Sequence, residues 1–318
     1  MIEVGISSVG VCVPKKVLTN FDLEKMVDTT DEWIRTRTGI AQRHVVDTHE
    51  SLNDLLVESA KTACKKSNIK SSELDFIINA TLASDRLCPA QAFEVAREIE
   101  AQNVFCFDLN SACSGFVYGL ATAESFLKTR NISYGLVTAG EQVTRTLDYT
   151  DRNSCVIFGD AAAAAVVTNK NPEHKILYTE LGADPSMSQE VIIGGIKDLL
   201  NEDRKSFYFH QNGKVVFKFA VSKIKELFET VPLKAGIKPE QIKYVVPHQA
   251  NSRIIEAAKE SLSYSPEFIS IIEMYGNTSS VSIPLAMNSS WDRFKKGDYI
   301  FLVGFGGGLS WAAAILEW

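Results

Sequence analysis

The stretch Asn68-Ile69-Lys70-Ser71-Ser72-Glu73-Leu74-Asp75-Phe76-Ile77-Ile78 recurs in pattern as Gly236-Ile237-Lys238-Pro239-Glu240-Gln241-Ile242-Lys243-Tyr244-Val245-Val246. Self-similarity at a long offset limits the possible folds more than any local propensity, because each copy must occupy an equivalent place in the same architecture. Both copies follow an amphipathic helix. Ser51 and Asp54 frame a capping-box start before Leu52, Leu55, Leu56, Ala60 and Ala63, and Val221, Ile224, Leu227, Phe228 and Val231 keep helical spacing before the second copy. Both copies end in an apolar strand. The halves also close alike, with Val156-Ile157-Phe158-Gly159-Asp160 before an apolar run at 161–167, and Leu302-Val303-Gly304-Phe305-Gly306-Gly307-Gly308 before another at 311–316. The repeat predicts a duplicated α/β unit, residues 1–170 and 171–318, divided at the polar stretch 169–174.

A chain of 318 residues is long enough for two such units, each with its own core. With 45% hydrophobic and 23% charged residues it is neither disordered nor fibrous. A formal charge of −6 argues against an overall basic footprint for nucleic acid or anionic lipid. The six cysteines, at 12, 64, 88, 106, 113 and 155, form no CxxC pair and read as reduced thiols. No basic, apolar and small-residue succession opens the chain, so the expected location is cytoplasmic. Residues 299–316 carry no charge over a nearly membrane-spanning length, but Gly304, Gly306, Gly307 and Gly308 divide them into strand, loop and strand.

Four loops follow apolar strands. In the first, Asn110-Ser111-Ala112-Cys113-Ser114-Gly115 leads into a helix whose Gly115, Gly119 and Ala123 recur every four residues, allowing close approach to a neighbouring backbone. Cys113 at the start of that helix is either a nucleophile, its pKa lowered by the helix dipole, or a small core residue. In the second, Pro247-His248-Gln249-Ala250-Asn251 puts His248 at the carboxyl end of a strand, where open α/β sheets place ligands; a structural histidine is the alternative. Gly276-Asn277 in the third reads as a turn, since both residues tolerate positive φ, and Gly306-Gly307-Gly308 in the fourth is either a turn or backbone whose N–H groups approach a ligand.

Taken together these loops resemble the thiolase-fold condensing enzymes, and most closely the β-ketoacyl-acyl-carrier-protein synthase III family. The likeness runs through Asp28-Thr29-Thr30-Asp31-Glu32-Trp33-Ile34, Thr36-Arg37-Thr38-Gly39-Ile40, Ala112-Cys113-Ser114-Gly115-Phe116, Thr150-Asp151-Arg152, Phe158-Gly159-Asp160, Val246-Pro247-His248-Gln249-Ala250-Asn251, Gly276-Asn277-Thr278-Ser279 and Phe305-Gly306-Gly307-Gly308-Leu309-Ser310-Trp311. The resemblance implies a thiolase-like five-layered αβαβα fold of two duplicated halves. It also implies a catalytic triad of Cys113, His248 and Asn277, with the backbone N–H groups of Cys113 and Gly307 as the oxyanion hole.

On that likeness, an acyl-CoA primer acylates Cys113, and loss of CO₂ from malonyl-acyl-carrier-protein supplies the carbanion that forms the new bond, initiating type II fatty-acid synthesis. Trp33, Arg37 and Arg152 match family positions that bind coenzyme A, and Arg253 matches the edge that receives the acyl carrier protein. No metal or redox cofactor, no nucleic acid and no membrane is implied; a homodimer is. Cys88 falls where relatives often carry a Phe reaching into the partner subunit's primer pocket, so a longer or branched primer is the expectation. Asp184-Pro185 and Tyr275 also depart from the family pattern, which points to a differently shaped loop over 184–212. Condensation or acyl transfer in a secondary-metabolite pathway keeps the same triad and stands as the alternative, with a cysteine peptidase as the remote one.

Overall fold

The computed structural model describes residues 2–200 and 205–318. Ten strands build the central sheet. The first five are β1 (Gly5–Cys12), β2 (Phe76–Ala80), β3 (Phe105–Leu109), β4 (Tyr134–Glu141) and β5 (Ala161–Thr168). The second five are β6 (His174–Ala183), β7 (Ile242–Pro247), β8 (Glu267–Phe268), β9 (Tyr299–Gly306) and β10 (Ser310–Glu317).

Their spatial order is β8-β7-β9-β10-β6-β1-β5-β4-β2-β3. Read outward from the middle, each half repeats the other. β2 runs parallel to β3 and β4, and β5 runs antiparallel to β4 and β1; β7 runs parallel to β8 and β9, and β10 runs antiparallel to β9 and β6. The halves meet where Gly5 pairs with Lys175 and Ile6 with His174. A side chain on Gly5 would strike the His174 carbonyl, so glycine is what lets the two sheets join. The repeated segments take the same course. Asn68 and Gly236, at matching positions, both have positive φ, and each is followed by a 3₁₀ turn and then by β2 or β7.

Helices cover both faces. α1 (Asp31–Thr38) lies in an excursion of the first half. α2 (Leu52–Lys66), α3 (Gln91–Glu98) and α4 (Gly115–Thr129) belong to the first repeat; α5 (Gly213–Lys234), α6 (Ser252–Ser261) and α7 (Ser282–Ser289) belong to the second. The predicted capping box forms, with Ser51 Oγ accepting from Asp54 N–H at 3.1 Å and Asp54 returning to Ser51 N–H at 2.9 Å.

Alternation along the strands places three of the four hydrophobic clusters on the faces of the sheet, and these separate five layers. Ala162, Ala164 and Val166 of β5 face Leu52, Leu56 and Ala60 of α2 and Val95 of α3. Ala161, Ala163 and Ala165 turn the other way and share a central cluster with α4, α7 and the inward residues Ala312, Ala314 and Leu316 of β10. Ala313 and Ile315 face Ile224 and Phe228 of α5 and Ala258 of α6. The small residues of α4 let it pack closely, but against side chains rather than backbone: a Cβ on Gly119 would come within 2.7 Å of Val137 Cγ1. Residues 299–316 form the antiparallel pair β9–β10, and no helix among the described residues is long and apolar enough to cross a membrane.

Candidate active site

Four loops converge beside the buried α4 and α7. β3 leads to Asn110, whose side chain accepts from Ala112 N–H at 3.2 Å; Ala112 takes a positive φ, and Cys113 sits in the 3₁₀ turn Ala112–Ser114 that runs directly into α4. Ser114 Oγ lies 2.9 Å from Ser310 Oγ, and a side chain on Gly306 would come within 2.7 Å of the Cys113 nitrogen. The Cys113 turn of one half is therefore pressed against the Gly-rich loop of the other.

His248 leaves β7 with its N–H bonded to Val303 O at 2.8 Å, its Nδ1 2.7 Å from Ser282 Oγ, and its ring edge-on to Phe305 at 5.2 Å. Burial holds its pKa down at about 3, so the imidazole is neutral at physiological pH. Ser282 Oγ also accepts from Gln249 N–H at 3.3 Å. When the Ser282 hydroxyl donates to Nδ1, the ring proton sits on Nε2.

Asn277 follows Gly276, which has φ +64 and whose Cβ would stand 2.8 Å from Ile157 O. Asn277 N–H donates to Ile157 O and its carbonyl accepts from Gly159 N–H, both at 3.0 Å, which bridges it to the Phe158 segment of the first half. Its Oδ1 accepts from Ser279 N–H at 2.8 Å, leaving Nδ2 as the group it can offer to a ligand. Cys113, His248 and Asn277 line one narrow cavity of about 50 Å³ with Phe305, Gly306 and Gly307.

Cys113 also lines a second cavity, of about 510 Å³, whose wall includes Leu82, Tyr118, Val143, Val191 and Ile193. A third, of about 840 Å³, is lined by Trp33, Arg37, Arg152 and Arg253 and shares Phe209 and Gln211 with the narrow one. Cys113 thus stands between a wide outer vestibule and a largely apolar chamber. The Arg152 guanidinium lies 5.1 Å from the Trp33 ring centroid and donates to Asp28 O at 2.9 Å. Asn251 Nδ2 donates to Arg37 O at 3.1 Å, holding α1 against α6, where Arg253 is exposed.

Cys88 is exposed and lines none of the three cavities of its own chain. Within the loop over 184–212, Asp184 caps the turn Pro185–Met187, Val191, Phe209 and Gln211 reach the narrow cavity, and residues 201–204 lie outside the described residues. Tyr275 stacks on His44 at 5.6 Å and reaches none of the cavities. Among the described residues no group of three or more His, Cys, Asp or Glu is placed to hold a metal ion.

One expectation is corrected. The helix start predicts a lowered Cys113 pKa, whereas burial pushes the thiol up to about 12; the Ser279 hydroxyl, 3.4 Å away, lowers it less than burial raises it, and Glu141 adds to the rise. Cys113 lies in the 3₁₀ turn just before α4, and burial is the largest influence on its thiol. Sequence reading also misses Glu141, Ser279 and Ser282. The signals were an apolar strand, Val137-Thr138-Ala139-Gly140, ending in an acid, and a run of hydroxyls after Asn277.

With the geometry described, the likeness to known proteins can be stated. Residues 107–185 match the model for 3-oxoacyl-[acyl-carrier-protein] synthase III, and residues 233–318 match the model for its C-terminal part. The chain is 41% identical over 98% of its length to the β-ketoacyl-[acyl-carrier-protein] synthase III of Aquifex aeolicus, covering 99% of that protein. It is 42% identical to synthase III 1 of Bacillus anthracis, with 99% of each chain covered. The crystal structure of the Aquifex aeolicus VF5 enzyme superposes with a TM-score of 0.92 at 40% identity, covering 99% of this chain and 100% of that one. The priming β-ketosynthase of the R1128 polyketide pathway superposes with a TM-score of 0.93 at 29% identity, with coverages of 99% and 96%.

Proposed function

The chain belongs to the 3-oxoacyl-[acyl-carrier-protein] synthase III family, and from that premise we propose that it condenses an acyl-CoA primer with malonyl-acyl-carrier-protein, initiating type II fatty-acid synthesis. The observation that carries this reading is the single narrow cavity shared by Cys113, His248 and Asn277 at the junction of the two larger ones.

Cys113 attacks the thioester carbonyl and coenzyme A departs, a ping-pong first half. The backbone N–H groups of Cys113 and Gly307 form the oxyanion hole. In the second half malonyl-acyl-carrier-protein loses CO₂, and His248 Nε2–H with Asn277 Nδ2–H stabilise the enolate oxygen; the carbanion then attacks the acyl group and releases the sulfur. Nucleophile and donors all come from the chain, and this chemistry needs no cofactor.

Trp33 stacks on the adenine of coenzyme A, Arg37 and Arg152 meet its phosphates, and Arg253 at the rim of the same vestibule receives the acidic carrier protein. The functional unit is a homodimer. β3 is the outer edge of the sheet, with Phe105 37% exposed, and nearby in sequence Phe93 and Leu87 are 51% and 84% exposed; pairing with a second copy covers such an edge. Cys88, beside Leu87, reaches from that face toward the partner's primer chamber, where a small side chain leaves room for a longer or branched primer. A strict preference for acetyl-CoA in primer competition contradicts that assignment. A cytoplasmic location accords with six unpaired cysteines.

The test is the complete reaction. Acyl-CoA and malonyl-acyl-carrier-protein yield the extended carrier-bound product, with CO₂ and coenzyme A released in equal amounts, and Cys113→Ala yields none. Condensation that survives in Cys113→Ala overturns the reading.

A further inference from the structure

Glu141 closes β4 directly behind the nucleophile and is fully buried. It accepts from Ser280 Oγ at 2.8 Å, from Ser279 Oγ at 3.3 Å and from Leu82 N–H at 3.3 Å, and among the described residues no cation pairs with it. Ser279 Oγ stands between this carboxyl and Cys113 Sγ, 3.4 Å on its other side. Ser279 has φ +52, a left-handed conformation that a non-glycine residue adopts at a cost, and the Asn277 side chain holds it there by accepting its N–H. The same four residues, 277–280, thus bring the Asn277 amide to the cavity and two hydroxyls to Glu141.

We propose that Glu141, acting through the Ser279 hydroxyl, takes the proton of the Cys113 thiol as the sulfur attacks the thioester and returns it when the sulfur is released. The inference rests on the reading of Cys113 as the acylated residue. In the first half-reaction the S–H bond breaks as the sulfur–carbonyl bond forms. The thiol proton passes to Ser279 Oγ while the Ser279 proton passes to Glu141 Oε1. The thioester C–S bond breaks, and coenzyme A leaves as a thiolate that takes a proton from water in the vestibule. In the second half-reaction the carbanion forms the C–C bond, the acyl-enzyme C–S bond breaks, and the sulfur recovers its proton from Glu141 by the same path. The cycle consumes one proton, which leaves on coenzyme A.

The groups facing Glu141 are the two hydroxyls and the backbone N–H groups of Leu82 and Ser280, with Cys113 the titratable partner across Ser279. Burial holds Glu141 up at about 8 and the thiol at about 12. The accepting carboxylate therefore becomes available as pH rises through about 8, whereas a thiol without it ionises only near 12.

The experiment follows acylation of Cys113 by an acyl-CoA, read as the mass of its peptide after rapid quenching, from about pH 6 to about pH 10. Wild type, Glu141→Gln and Ser279→Ala are compared, alongside decarboxylation of malonyl-acyl-carrier-protein. The wild-type rate rises to a plateau above about pH 8, and both variants acylate about 100-fold more slowly at neutral pH, with no plateau and a gap that narrows as pH rises. Their decarboxylation falls far less than their acylation. Variants that keep the wild-type plateau, or that lose both steps by one factor at every pH, overturn the relay. Should Glu141→Gln fail to fold, Ser279→Ala, which keeps the buried carboxyl, decides by the same outcomes. A wild-type chain never acylated at Cys113 overturns the underlying reading and the relay with it; an acylated wild type with ordinary variants overturns the relay alone.

Discussion

Ser282 Oγ lies 2.7 Å from His248 Nδ1, the contact through which the serine can set the tautomer of the imidazole. Donation to the enolate needs the ring proton on Nε2, which a Ser282 hydroxyl donating to Nδ1 supplies. Ser282→Ala removes that choice. Decarboxylation of malonyl-acyl-carrier-protein is expected to fall about 10-fold to about 100-fold, with a smaller effect on acylation by acyl-CoA. An unchanged decarboxylation rate shows that the hydroxyl does not set the tautomer.

The buried imidazole also leaves a signature in stability. Its folded pKa of about 3 lies below the unfolded value near 6.5, so the unfolded chain binds the extra proton first. The contribution of His248 is fully present above about pH 6.5 and is lost as pH falls toward 3, with a slope of at most about 1.4 kcal/mol per pH unit. Urea midpoints of wild type and His248→Gln across that window isolate the group, because other carboxyls titrate in both proteins. Parallel profiles contradict a neutral, buried His248.

Gly306 carries a steric prediction. A methyl there would stand 2.7 Å from the Cys113 nitrogen and 3.2 Å from both Ala112 Cβ and Ser111 O. Since those neighbours are mainly backbone, Gly306→Ala must move the nucleophile turn, and acylation is expected to drop about 100-fold while the protein remains folded. Circular dichroism with acyl-enzyme mass checks both parts; a folded variant that acylates at the normal rate removes the close approach from the account.

The vestibule predicts a binding effect. Trp33→Ala and Arg152→Ala are each expected to raise KM for acyl-CoA about 10-fold, the loss of one stacking or phosphate contact, with little change in kcat. Equal falls in kcat with KM unmoved would place these residues in the chemistry instead.

Much of this was legible before any coordinates. The repeat around residues 68–78 and 236–246 identified equivalent strands, since equivalent packing demands the same apolar spacing, the same turn and the same positive-φ residue. Cys113, His248, Asn277 and Gly307 are singled out by the likeness to the condensing enzymes; taken alone, a cysteine at a helix start, a histidine at a strand end, a Gly-Asn turn and a glycine cluster leave structural readings open. Glu141, Ser279 and Ser282 did not stand out, because serine and glutamate occur in every loop and only three-dimensional placement shows them buried around one sulfur. The upward Cys113 shift is not legible for a related reason: position along a helix is visible in a sequence, whereas the burial that raises the thiol, and the Glu141 charge that adds to the rise, exist only in the fold.

The outer edge of the sheet predicts an assembly. Phe105→Asp puts a charge on the exposed edge strand β3, so sedimentation equilibrium is expected to show a dimer for wild type and a monomer for the variant. A variant that remains dimeric puts the interface elsewhere.

The central claim is that Cys113, between vestibule and chamber, carries the acyl group from one substrate to the other. Mixing the protein with an acyl-CoA, removing free coenzyme A and taking the mass of the Cys113 peptide tests it most directly. The expected result is one acyl group on that peptide, which disappears as CO₂ is released when malonyl-acyl-carrier-protein is added; an unmodified Cys113 in a protein that still completes the condensation contradicts the account.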